Sequence, residues 1–416
     1  MSFPTPDLAP NGLVNTKGDY ILHNPDIFNL LTRLWTGILL PQNAEDYRAH
    51  TGISIGTYNK YKTLLEPLIA DHKVIASHCT HYKETTFMNI VGLADEVRNY
   101  AHLASGGGNL AASYYHVIFD TIGKLAACTS ADPPNKAATL KAGIAAGVDA
   151  MITKIDVFNS AAAGVKSDLD TFAGQCEEDA SKLEAHISSI TEVVDTVESD
   201  IEDLQKQIKQ DMRDLSDAGV ELAHDQTIFY TAAAFGWITE IGTSVLAAAL
   251  PEAAPVADAA GHVASEITDT ITTEYGDKVK ALSKSIEDLQ AKLRSEDQKL
   301  QEEVAIVAQL SNAKLDIDAS APLVKRVADS IVAIIGAWNT IKGELVALKS
   351  TADKDIGSLA AAYTPAVTES VIKQWDNLET AVEAYRLGAY VSALPTITTL
   401  DEYSEALAAK VGASQV

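Results

Sequence analysis

Four residues early in the chain have side chains that can hold a metal: His78, Cys79 and His81, with His72 six residues earlier. Imidazole and thiolate are zinc donors, and on one helix they would lie within a few turns of each other. The set falls short of a site. Structural zinc takes four ligands, usually from two clusters, and no second cluster of suitable spacing follows. The acidic runs Glu177-Glu178-Asp179 and Asp200 to Asp203 offer oxygen ligands, but their heptad context makes them the solvated face of a helix. Gly106-Gly107-Gly108 neither follows a strand nor leads into Gly-Lys-Ser/Thr, so it reads as a turn rather than a phosphate cradle. No G-x-S-x-G, H-E-x-x-H or local Cys/His nucleophile pattern occurs. The expectation is a chain without catalytic residues, metal or cofactor.

The elements that would carry these residues are helices. The chain has 416 residues, 47% of them hydrophobic, with many alanines and few aromatics. Proline is absent from Asn135 to Leu250, and over that run apolar residues step by three and four. The series Val148, Met151, Ile155, Phe158, Ala162, Val165, Leu169, Phe172 and Cys176 continues through Leu183, Ile187, Ile190, Val194, Val197, Ile201, Leu204, Ile208 and Leu215. This spacing predicts one helix on the order of 100 Å long. A second heptad series runs from Val279 to Leu310, its seam interrupted by Glu296 and Glu303. Two further helices follow, one from Val324 to Leu348 starting after Pro322, the other centred on Trp375 and ending near Ala389.

Upstream, Asn24-Pro25 reads as a helix cap, with Ile27, Leu30, Leu31, Leu34, Trp35 and Ile38 on one face. Tyr58 to Ala104 reads as a longer helix bent at Pro67, and Leu110 to Ala127 as another. A short closing helix is expected beyond Pro395. Strand signals are almost absent, with Ile267 to Thr273 the one place where a β-hairpin competes with helix. The expected fold class is therefore all-α: an elongated bundle of about five long helices, with an apolar head hairpin inserted between two antiparallel coiled-coil helices. Its expected domains are an N-terminal segment with a short amphipathic helix (1–57), the bundle (58–215 and 278–395), the apolar head (216–277) and a C-terminal tail (396–416).

The head contains the least ordinary stretch, Thr227 to Leu250, which carries one charge, Glu240, in 24 residues. As a helix it could cross a hydrocarbon core of about 30 Å. A constitutive span would be richer in Leu and Ile and flanked by Lys or Arg, whereas the near flanks are Asp225, Glu252 and Asp258. The segment reads instead as one folded away in water but able to meet lipid, the alternative being a buried core hairpin. With 57 acidic and 32 basic residues, net charge −25, neither nucleic acid as a partner nor simple electrostatic attraction to anionic lipid is expected. The three cysteines, Cys79, Cys128 and Cys176, read as buried free thiols. The first twenty residues lack a basic region followed by an apolar one, so export is expected to use a route other than the conventional secretory signal.

A bundle of very long helices interrupted once by an apolar hairpin of about 60 residues resembles the cytolysin A superfamily of α-helical pore-forming toxins, including the subunits of haemolysin BL, non-haemolytic enterotoxin and the xenorhabdolysins. The resemblance is architectural and runs from Tyr58 to Ala389. It implies a soluble form that converts to a membrane-bound homo- or hetero-oligomer, with a target-cell membrane and homologous toxin subunits as partners. The positions corresponding to the membrane-interacting head are Phe229, Tyr230, Phe235, Trp237, Ile238, Ile241, Val245, Leu246 and Leu250. One departure is the second half of the tip, where Asp258, Glu266, Asp269 and Glu274 suit a water-filled lumen, or partial insertion, better than lipid. The alternative is a non-toxic coiled-coil scaffold whose apolar tip docks a partner protein.

Overall fold

A computed structural model describes residues 6–15, 17–23, 25–133, 135–193, 234–239, 244–247, 281, 284, 298–389 and 396–399. Nine α-helices occur among them: α1 (Pro25–Ile38), α2 (Ala44–Thr51), α3 (Ile55–His81), α4 (Phe87–Ser105), α5 (Tyr114–Ala126), α6 (Lys136–Thr191), α7 (Gln298–Lys354), α8 (Ile356–Ala362) and α9 (Pro365–Ala389). Three short strands, β1 (Ala234–Thr239), β2 (Ser244–Ala247) and β3 (Thr396–Thr399), form one antiparallel sheet in the order β1-β2-β3. The remaining elements among the described residues are helical.

The chain divides into two units, which share α6 and α7 between them. The first takes the N-terminal residues to Asn24, Thr86–Leu169 and Val327–Tyr390. Here α9 packs along α4, and α5 lies against α4 and α8. An aromatic core fills the interior. The ring centroid of Trp338 lies 4.5 Å from Tyr100, 5.4 Å from Phe158 and 5.9 Å from Trp375, and Tyr115 lies 5.9 Å from Trp375. Several polar tips are matched: Tyr100 and Tyr115 hydroxyls are 3.0 Å apart, and Trp375 Nε1 donates to the Leu8 carbonyl at 2.8 Å. The last bond, with Tyr363 Oη donating to Pro6 O at 2.6 Å, ties the N-terminal segment to α9 and the α8–α9 junction.

The second unit takes Pro25–Thr85, Asp170–Arg326 and the C-terminal residues from Val391. In it α1 and α2 lie on α3. Carboxylates of α7 tie that half together: Asp316 accepts from Arg33 and Thr36 of α1, each at 3.0 Å, and Glu302 accepts from Ser54 at 3.0 Å. Asp26 takes both an Nε and an Nη2 hydrogen bond from Arg326, at 2.7 and 2.9 Å.

Most heptad residues among the described ones are buried, as the spacing predicts. Val148, Ile155, Ala162 and Leu169 of α6, and Val324, Ile331, Ile334 and Leu345 of α7, are fully buried. The long first helix is described to Thr191; its expected continuation to Leu215, and Ile267 to Thr273, lie outside the described residues. A stretch of α7, Gln309–Lys354, is long and apolar enough by length and composition to cross a membrane. Its apolar positions recur at core spacing, with Lys325, Asp329, Lys342 and Lys349 between them, which is the pattern of a bundle helix.

Three expectations are corrected. Pro322 does not start a helix but sits within α7. A mid-helix proline costs about 3 kcal/mol, and burial of Ala321, Leu323 and Val324 around it offsets that. The long helix from Tyr58 is not uniform: a π-helical turn at Tyr82–Thr86 separates α3 from α4, and Pro67 lies inside α3. Leu110–Ala112 is a 3₁₀ turn preceding α5. Of the stretch beyond Pro395, Thr396–Thr399 form β3, in keeping with the β-branched Thr-Ile-Thr-Thr sequence, and the closing helix expected there lies outside the described residues.

Candidate membrane-active segment and its dock

Within the apolar segment the described residues are strands, not a helix. Sequence gives the reason: Phe235, Trp237, Ile238, Thr239 and Val245 are aromatic or β-branched, the types that fit a pleated surface. The register pairs Ala234 with Ala247, Phe235 with Leu246 and Thr239 with Ser244. Between the last two pairs β1 has Gly236, Trp237 and Ile238 where β2 has Val245 alone, so the ladder is bulged there. On its other edge β2 pairs with β3, setting Leu246 opposite Ile397 and Val245 opposite Thr398. Phe235, Leu246 and Ile397 thus share one row across the sheet. Of the expected lipid-facing residues, Phe235, Trp237 and Ile238 are in β1, and Val245 and Leu246 in β2; Phe229, Tyr230, Ile241 and Leu250 lie outside the described residues.

β1 lies beside α1 and α2. These two helices are held by local chemistry that the sequence encodes. Asn43 caps α2 by accepting from the amides of Glu45 and Asp46, and Gly52 closes it at φ 69°, a left-handed conformation that glycine adopts without a Cβ penalty. Ser54 then caps α3. On α1, Gly37 meets α3 and α7 closely: a Cβ there would stand 2.3 Å from Cys79 Sγ and 3.2 Å from Ile317 Cδ1. Trp35 lies under Lys83 Nζ, 4.6 Å from the ring centroid.

Under α2 sits His72 of α3, fully buried. Its Nδ1 lies 3.0 Å from the Pro41 carbonyl, in the connection from α1 to α2, and its ring stacks on Tyr47 at 6.1 Å. A carbonyl only accepts, so the ring proton is on Nδ1, and Nε2 is left bare with no partner. Burial pushes His72 from 6.5 to about 4, and lowers His50 of α2 to about 4 as well. Next to it α3 and α6 exchange two histidine–carboxylate pairs: His186 Nε2 to Asp71 Oδ2 at 2.7 Å, and His78 Nδ1 to Asp179 Oδ2 at 2.8 Å. Asp71 and His78 are seven residues apart on α3, as are Asp179 and His186 on α6, so an antiparallel heptad register delivers both pairs with opposite polarity. Desolvation raises Asp179, opposed by His78.

The metal-capable cluster is thereby dispersed: His78 is taken by Asp179, His72 by Pro41 and Tyr47, and Cys79 is buried with its thiol pushed well up. No group of three or more potential metal ligands occurs among the described residues. Cys79 and Cys176 are buried free thiols, whereas Cys128 is half-buried. Gly106, Gly107 and Gly108 all have positive φ and form the turn after α4, with Gly107 against the His102 ring, where a Cβ would stand 2.2 Å from Cε1. Pairing of His78 and His186 with heptad-matched aspartates escaped the sequence reading. Its signal was there in the seven-residue spacings, but nothing in one helix names its partner.

No family model matches this sequence, and no curated protein does. Solved structures match over nearly the whole chain. The Bacillus cereus HblL1 toxin component superimposes with a TM-score of 0.58 at 17% identity, covering 91% of this chain and 97% of that one. Soluble AhlB of the tripartite α-pore-forming toxin AHL from Aeromonas hydrophila gives 0.57 at 12%, covering 93% and 98%. Soluble SmhA of the tripartite toxin Smh from Serratia marcescens gives 0.54 at 14%, covering 92% and 96%. The chain shares the helical fold of these α-pore-forming toxin components.

Proposed function

We propose that this chain is a non-catalytic subunit of an α-pore-forming toxin, secreted and then assembled on a target-cell membrane with one or more homologous subunits. The observation that carries the reading is an almost uncharged 24-residue segment, Thr227 to Leu250, on a fold shared end to end with components of multi-part toxins. A soluble chain of net charge −25 has no electrostatic route to anionic lipid. Membrane contact then falls to apolar area, worth about 25 cal/mol per Å² removed from water. Protein and lipid compete for that area, and oligomerisation multiplies a small bias toward lipid. Phe235, Trp237, Ile238, Val245 and Leu246, with Phe229, Tyr230, Ile241 and Leu250, are the residues assigned to lipid.

The test is permeabilisation of cells or vesicles by this chain together with its homologous subunits. Trp237→Asp or Ile241→Asp should abolish it, because a charge at the bilayer centre costs at least ~2.5 kcal/mol. Helicity and melting temperature, measured alongside, separate lost insertion from lost folding. Full activity in both variants would overturn the assignment of this segment to lipid.

A further inference from the structure

His72 is the most deeply buried histidine among the described residues and joins three pieces of the second unit: the α1–α2 connection through Pro41, α2 through Tyr47, and α3, which carries it. Its surroundings suit a neutral ring only. Nδ1–H is spent on Pro41 O, and a proton added at Nε2 would point at no acceptor. The charged groups that face it do not compensate. His50 on α2 and His186 on α6 both oppose a positive charge on it, and Asp71, the one carboxylate that favours it, is already taken by His186 at 2.7 Å and faces Lys182 of α6. Asp46 is the carboxylate that acts on His50, where desolvation prevails over it.

We propose that the seating of α2 and the α1–α2 connection on α3 is an acid-sensitive catch: proton uptake at His72, joined by His50, frees them and with them the support beside which β1 lies. This rests on the toxin reading, since it makes mild acidification the condition that mobilises the apolar segment toward lipid. The direction follows from linkage. Burial takes His72 from 6.5 to about 4, so below pH 6.5 the opened form binds the proton and the closed form does not. Stability of the closed catch is whole above pH 6.5 and drains away as the pH falls toward 4. From about pH 7.5 to about pH 5, one such histidine raises the opening equilibrium roughly 30-fold, and His50 adds to it.

Hydrogen exchange on the intact chain reads this directly. After correction for intrinsic rates, amides of residues 42–51 should exchange roughly 30-fold faster at about pH 5 than at about pH 7.5. His72→Asn keeps a donor near Pro41 O and cannot take up a proton, so it should remove most of that rise. No rise in the parent chain, or an equal rise in His72→Asn, overturns the catch. Should His72→Asn fail to fold, an NMR titration of the His72 ring decides: a midpoint well below 6.5 that coincides with opening supports the catch, and one near 6.5 overturns it. Leakage from zwitterionic phosphatidylcholine vesicles, with the homologous subunits present, separates the two readings. Opening in acid with no leakage at either pH leaves the catch standing and removes the toxin reading. Equal leakage at both pH values with unchanged exchange does the reverse.

Discussion

Tyr61 donates a 2.5 Å hydrogen bond to Oε1 of Glu303, and Lys60 Nζ donates to the same oxygen at 2.9 Å, so a carboxylate that interrupts an apolar heptad seam is buried against donors supplied by α3. A hydrogen bond to a buried charge contributes about 1.5–3 kcal/mol, and an abandoned partner costs as much. Tyr61→Phe and Glu303→Leu should each lower unfolding free energy by about that amount in urea titrations. The double variant should lose less than the sum, because neither polar group remains to be stranded.

His78→Ala should cost about 3 kcal/mol, since Asp179 would keep its burial and lose its one donor; its Oδ1 already has none. The pH dependence has a definite sign. Burial raises Asp179, so the folded state takes up its proton more readily than the unfolded chain and the strain of its charge is relieved in acid. The gap between parent and variant should therefore narrow as the pH falls through the range in which Asp179 takes up its proton. Thermal melts at several pH values check it.

Gly37→Ala gains helix propensity yet should destabilise, because the new Cβ would stand 2.3 Å from Cys79 Sγ. Overpacking of this kind costs about 1–3 kcal/mol. Gly37→Ala combined with Cys79→Ala removes the clash and should recover most of the loss. A double variant no better than Gly37→Ala would mean that Ile317, at 3.2 Å, sets the limit instead.

Trp375→Phe should cost about 1–2 kcal/mol and act chiefly at a distance in sequence, since the bond lost is the one to the Leu8 carbonyl. Limited proteolysis should cut the chain earlier around residues 6–13 while α9 stays protected. Tyr363→Phe, which loses the bond to Pro6 O, should show the same signature more weakly.

Period and punctuation in the sequence determined the helices. Steps of three and four, an unbroken proline-free run, and caps such as Asn43 and Ser54 are local physics, written wherever the chain is read. The same steps marked Val148, Ile155, Leu169 and Ile331 as core before any partner was known. Charge, too, is a property of the sequence alone: 57 acidic against 32 basic residues, net −25. What tertiary structure alone decided is which face meets which. Glu303 reads as a flaw in a seam until Tyr61 and Lys60 come to it, and His78 reads as a zinc ligand until Asp179 does. Pro322 reads as a helix start until burial on both sides carries α7 through it. Strand or helix in an apolar stretch is decided in the same way. Ala234–Thr239 finds its neighbour locally in β2, but the other edge of β2 takes its hydrogen bonds from β3, some 150 residues further on. Such pairings are long-range contacts, and no window of local sequence contains both halves of them.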